Sequence, residues 1–166
     1  MPTDTDPKPV VSLGALPLEP FERGTAYRSS DAGGVARGLG LTRLGATYIE
    51  VPPGKSSCPY HVHHAVDEMF VILEGQGDYR FGESRYSVEA GDVLGAPRGG
   101  PEFAHQLINT GAVTLKYLAI SSVADVDVCE YPDSDKFGAG SRGGFRVIGR
   151  RGESLDYWDG EPDELK

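Results

Sequence analysis

After Gly38 the chain is cut by recurring Gly and Pro into short runs rich in Val, Ile, Tyr and Thr, and no long stretch carries helical periodicity. The runs are 45–51, 68–73, 77–81, 85–88, 92–96, 104–109 and 114–121. Runs of this length, β-branched and aromatic in character and bounded by turn residues, predict strands. The reversals have matching chemistry: Pro52-Pro53-Gly54, Glu74-Gly75-Gln76-Gly77, Glu89-Ala90-Gly91-Asp92 and Asn109-Thr110-Gly111 place Gly or Asn where a positive φ costs least. Many short strands joined this way predict an all-β barrel or sandwich and exclude a helical bundle or a doubly wound sheet.

Strand parity assigns the faces of the run that starts at Glu68. Glu68, Phe70 and Ile72 share one face, and Met69, Val71 and Leu73 share the other. Both faces are therefore apolar. One lines the barrel, and the other needs a second sheet or a second subunit over it, so a homodimer is expected. Residues 1–20 hold five of the twelve prolines, which marks 1–25 as an extended N-terminal arm. The barrel is expected over 26–125 and a C-terminal extension over 126–166, with short helical turns after Tyr131.

The charge balance narrows the partners. Sixteen Lys and Arg face 25 Asp and Glu, a net charge of -9, which argues against a nucleic-acid binder. No apolar run approaches the roughly 20 residues that cross a bilayer, so no membrane partner is expected. The start Met1-Pro2-Thr3-Asp4 lacks the basic and apolar regions of a secretory signal, and the protein is expected to be cytoplasmic, with Cys58 and Cys129 as free thiols.

All four histidines fall within 59–68 and 102–105. His61 and His63, at i and i+2, leave an extended strand on one face, and Glu68 follows at the head of an apolar run. With His105 they supply three imidazoles and one carboxylate, a donor set that suits a divalent ion such as Zn, Fe, Mn or Ni and leaves room for a small-molecule ligand or substrate. His64 and Asp67 alternate to the opposite side and are expected outside the set.

The order Gly54, His61, His63, Glu68, Gly75, then Gly91, Pro97, Gly99, His105, Asn109 resembles the two-part signature of the cupin superfamily. Two intervals are longer than the usual pattern, by one residue before His61 and by three between Gly99 and His105, and both extra stretches are loop-like. The resemblance spans about residues 45–122. It implies a double-stranded β-helix of jelly-roll type, with His61, His63, Glu68 and His105 as metal ligands. The strings Tyr131-Pro132-Asp133-Ser134 and Tyr157-Trp158-Asp159-Gly160-Glu161 look like the tails of stand-alone bacterial cupins labelled sugar-phosphate isomerases. A metal-dependent enzyme on a small polar metabolite, sugar-phosphate isomerase-like, is the expectation that follows. The alternatives are an Fe(II)-dependent dioxygenase and a non-catalytic metabolite-binding or sensing protein.

Parity and loop position nominate Tyr48, Glu50, Phe103 and Tyr117 as pocket residues, with Tyr48 or Glu50 as the base that an isomerase needs. Arg80, Arg98 and Lys116 are the candidates for holding a phosphate. The string Gly138-Ala139-Gly140-Ser141-Arg142-Gly143 fits G-x-G-x-x-G but has no strand-helix context, so a flexible loop is expected there and not a dinucleotide site.

Overall fold

A computed structural model of the chain describes residues 9–153 and 155–162. Its strands are β1 (Glu19–Arg23), β2 (Tyr27–Ala32), β3 (Leu44–Val51), β4 (Val62–His63), β5 (Glu68–Glu74), β6 (Gln76–Phe81) and β7 (Ser84–Glu89). They continue with β8 (Val93–Ala96), β9 (His105–Ile108), β10 (Leu115–Ser122), β11 (Val126–Tyr131), β12 (Lys136–Ser141) and β13 (Arg146–Arg150). Among the described residues the one α-helical turn, α1, spans Val35–Gly38.

All strand pairs are antiparallel. One sheet runs β1-β2-β3-β10-β5-β8, a second β7-β6-β9, and a third β13-β12-β11-β4. The result is the expected all-β jelly roll, a double-stranded β-helix, and the seven expected runs are β3 and β5 through β10. Its interior is closed by Val51, Phe70, Ile72, Tyr79, Val88, Leu94, Ala96, Leu107, Leu115 and Tyr117, all buried.

Two motif residues secure the turns. Gly75 has φ +84°, and a Cβ there would sit 2.8 Å from the Thr114 carbonyl oxygen, so the turn between β5 and β6 admits only glycine. Asn109 is fully buried, and its amide nitrogen donates to the Val51 and Val113 carbonyls at 2.8 Å each, while its Oδ1 accepts from the Gly111 amide at 2.9 Å. It thereby ties the end of β3 to the loop before β10.

The outer face of the large sheet is covered in part. Val11, Leu13, Leu16 and Leu18 pack with Ala32, Val35 and Tyr48, so the proline-rich segment lies on its own barrel over β2 and β3. Residues 1–8, part of the expected arm, and Ser154 and 163–166, part of the expected extension, lie outside the described residues. Among the described residues no second sheet covers the outer face of β5 and β8, whose Met69, Leu73 and Val93 are 40%, 44% and 62% exposed.

Short helical turns do follow Tyr131, as 3₁₀ turns at Pro132–Ser134 and Arg151–Glu153, but among the described residues most of the C-terminal region is strand, with β11, β12 and β13 in antiparallel ladders. The glycine string expected as a flexible loop supplies most of β12. Its small residues carry no strand signal of their own, and the ladder bonds to β11 and β13 override that weak propensity.

Candidate metal centre

Four elements bring the candidate ligands together. His61 precedes β4 and bridges to His105 at the start of β9, with His61 N to His105 O at 3.1 Å and His105 N to His61 O at 2.7 Å. His63 closes β4, whose partner is β11, and its carbonyl accepts from the Gly99 amide at 2.9 Å, which explains the Pro97-x-Gly99 turn. Glu68 opens β5 and faces inward with Phe70 and Ile72, as parity predicts.

The geometry centres on one carboxylate oxygen. Glu68 Oε2 lies 3.1 Å from His105 Nε2 and 3.6 Å from the Nε2 atoms of both His61 and His63. The Nδ1 atoms point the other way, each at an oxygen: His61 at the Pro59 carbonyl (2.9 Å), His105 at the Phe103 carbonyl (3.2 Å) and His63 at the Asp127 carboxylate (2.5 Å). An oxygen acceptor at Nδ1 fixes each ring from behind and turns its Nε2 toward Glu68, the orientation that outer partners impose on histidines that ligate a metal once an ion replaces the Nε2 proton. The donor set thus fits a divalent ion of the nitrogen- and oxygen-binding class. His61, Glu68 and His105 offer donor atoms that all lie within 4.8 Å of one another.

Electrostatics follow from that crowding. Burial raises the Glu68 carboxyl pKa, but hydrogen bonding to His105 and His61 and the charge of His63 more than offset it, so the group stays far below the usual carboxylate range. Burial works against the charged form of His61, and hydrogen bonding to Cys58 and Glu68 overcomes it, pushing its pKa up to about 11.

A cavity of about 570 Å³ opens beside His61 and His63, between the barrel and the C-terminal sheet. Its other walls are Cys58, between Gly54 and His61, and, from beyond the two-part signature, Asp125, Cys129, Tyr131, the small residues of β12, and Arg142, Phe145 and Arg146. Tyr131 stacks on His61 at a ring separation of 6.3 Å. Burial and a hydrogen bond to Cys129 push the Tyr131 phenol up to about 12.

Residues 47–121 match the family model of the cupin domain. That central segment is a cupin domain. The chain is 34% identical over 71 residues to an uncharacterized protein of Methanocaldococcus jannaschii, covering 43% of the chain and 54% of that protein. It is 33% identical over 72 residues to an oxalate-binding protein of Thermotoga maritima, covering 43% of the chain and 56% of the relative. The chain spans about half the length of the curated relatives it matches. A crystal structure from Acidithiobacillus ferrooxidans, named provisionally as a sugar phosphate isomerase, superposes with TM-score 0.69 at 28% identity over 78% of this chain and 80% of that one.

The cupin barrel separates the remaining sequence candidates. Tyr117 is buried in the main core, its hydroxyl 2.7 Å from Ser57 Oγ and its ring 6.2 Å from Phe70. Phe103 packs against Phe81 and supplies the carbonyl that holds His105. Tyr48 is buried on the outer face of β3 among the N-terminal apolar residues, and its hydroxyl donates to Glu50 at 2.8 Å, so this pair stands apart from the Glu68 cluster. His64 faces outward to Glu130 at 2.7 Å, and Asp67 accepts from the Arg98 amide at 3.0 Å; both lie outside the ligand group. Arg80 is bound twice by Asp133 and covers the Tyr60 ring, and Lys116 pairs with Glu74.

Proposed function

We propose that His61, His63, Glu68 and His105 hold a divalent ion and that the protein is a metal-dependent enzyme on a small polyoxygenated metabolite, of the sugar-phosphate isomerase type. The observation that carries this reading is the three Nε2 atoms gathered on one carboxylate oxygen, each imidazole fixed from behind by an oxygen acceptor. A divalent ion would supply Lewis-acid stabilisation to charge developing on substrate oxygens. The chain's own groups orient the ligand and exclude water: Tyr131 and Phe145 wall the cavity, and the titratable side chains Cys58, Asp125, Cys129 and Tyr131 that line it are the candidates for a proton transfer. Tyr48 and Glu50 face away and take no part in that transfer. The resemblance to the Acidithiobacillus structure supports the isomerase type.

Incubation of the metal-loaded protein with aldose and ketose phosphates in D2O, followed by NMR, tests this. Interconversion with deuterium entering at the carbon beside the carbonyl is the expected result. The oxalate-binding relative favours one other reading, a metabolite-binding cupin, and a ligand that binds saturably and returns without exchange selects it. Pairing of two copies through the outer face of β5 and β8 belongs to the proposal, supported by the exposure of Met69, Leu73 and Val93. Light scattering showing a monomer removes that part alone.

A further inference from the structure

The β12–β13 hairpin carries two arginines that the barrel chemistry does not use. Gly140 pairs with Arg146 across the ladder, and the turn is closed by the Ser141 amide donating to the Phe145 carbonyl at 2.9 Å and the Gly144 amide to the Ser141 carbonyl at 3.1 Å. The Arg142 amide donates to the Asp125 carbonyl at 3.0 Å, anchoring the other side of the turn. Both arginines line the cavity that His61 and His63 also line. The charge of Arg146 reaches Tyr131, lowering its otherwise raised pKa, and Tyr131 is the ring stacked on His61.

Arg28, Arg80, Arg85, Lys116 and Arg151 each sit against a carboxylate. Among the described residues, neither Arg142 nor Arg146 has a carboxylate within 4.0 Å of a side-chain nitrogen. Of the two carboxylates lining the same cavity, Asp127 is held by His63 and the Ala65 amide, so Asp125 is one carboxylate for two guanidinium groups and forms an ion pair with neither. The strand between the arginines and the ligand cluster is Gly138, Ala139, Gly140 and Ser141, whose small side chains keep the floor open.

We infer that Arg142 and Arg146 form an anion-binding end of this cavity and select a metabolite that carries a phosphate or carboxylate group away from the oxygens facing His61 and His63. Guanidinium groups bind such oxyanions through paired charge-assisted hydrogen bonds, so two unpartnered arginines on one hairpin form a fitting receptor. The inference rests on the proposed use of the cavity for a small metabolite, but the arginines act on the anion without any ion at the histidines.

Titration of chelator-treated full-length protein with inorganic phosphate, and separately with acetate, followed by amide NMR, tests it. The expected result is saturable shifts of the amides of 139–146, with the Arg142→Gln/Arg146→Gln variant losing affinity by about tenfold or more while its other amide signals stay in place. Tighter phosphate binding identifies a phosphorylated metabolite, and equal or tighter acetate binding a carboxylate. No saturable shift in 139–146 with either anion, or equal affinity in the variant, overturns the inference. Because the ion is removed beforehand, failure of the metal reading leaves this outcome untouched.

Discussion

His63 Nδ1 lies 2.5 Å from Asp127 Oδ2, so an imidazole on the short strand β4 is held by a carboxylate on β11, outside the matched cupin segment. The C-terminal sheet is thereby part of the centre and not a decoration on it. The other Asp127 oxygen accepts from the Ala65 amide at 2.9 Å, which fixes the carboxylate in place.

Replacing Asp127 by Ala is expected to weaken divalent-ion affinity by about 10- to 100-fold, the usual consequence of removing an outer partner from a ligating histidine. Competition with a chromogenic chelator measures it. Unchanged affinity would show that His63 needs no such support.

Asn109→Ala is expected to destabilise the fold by roughly 2–4 kcal/mol, because buried partners at Val51, Val113 and Gly111 lose their hydrogen bonds together. Urea denaturation reads the loss, and ion content at saturating metal should stay normal. The reverse pattern, a stable fold with lost ion, would give Asn109 a role at the site.

The Asp133 carboxyl is held below its ordinary pKa by hydrogen bonding to Arg80, a bidentate contact at 2.6 and 2.9 Å. A depressed folded-state pKa means that the pair contributes stability above the unfolded value of about 3.9 and loses it as pH falls through the folded one. NMR titration of Asp133 should show the depression, and Arg80→Gln should remove it. Both groups are partly exposed, so the stability effect is small and the titration is the better readout.

The barrel strands and the ligand set were legible for different reasons. Residues 68–74 alternate within a strongly apolar run, and three histidines with one carboxylate at matching intervals leave few other readings. The strands β11 to β13 were hidden because Gly138, Ala139 and Gly140 carry no alternation and gain strand geometry only from their neighbours. Tyr48 and Glu50 show a second limit. Parity groups residues into faces but does not say which face turns inward; on β3 it is Ile49 and Val51 that enter the core. The same limit left Arg142 and Arg146 unmarked while Arg80 and Lys116, which are tied to Asp133 and Glu74, were nominated.

The most direct test of the metal centre is elemental analysis of protein purified without chelator, wild type against His105→Ala. His105 is 2% exposed and closest to Glu68, so its loss removes a donor from the middle of the cluster. The account predicts about one equivalent of a divalent ion in the wild type, absent from a variant that keeps its β-sheet signal. A wild type that stays metal-free after reconstitution, or a variant that keeps the ion, would contradict it.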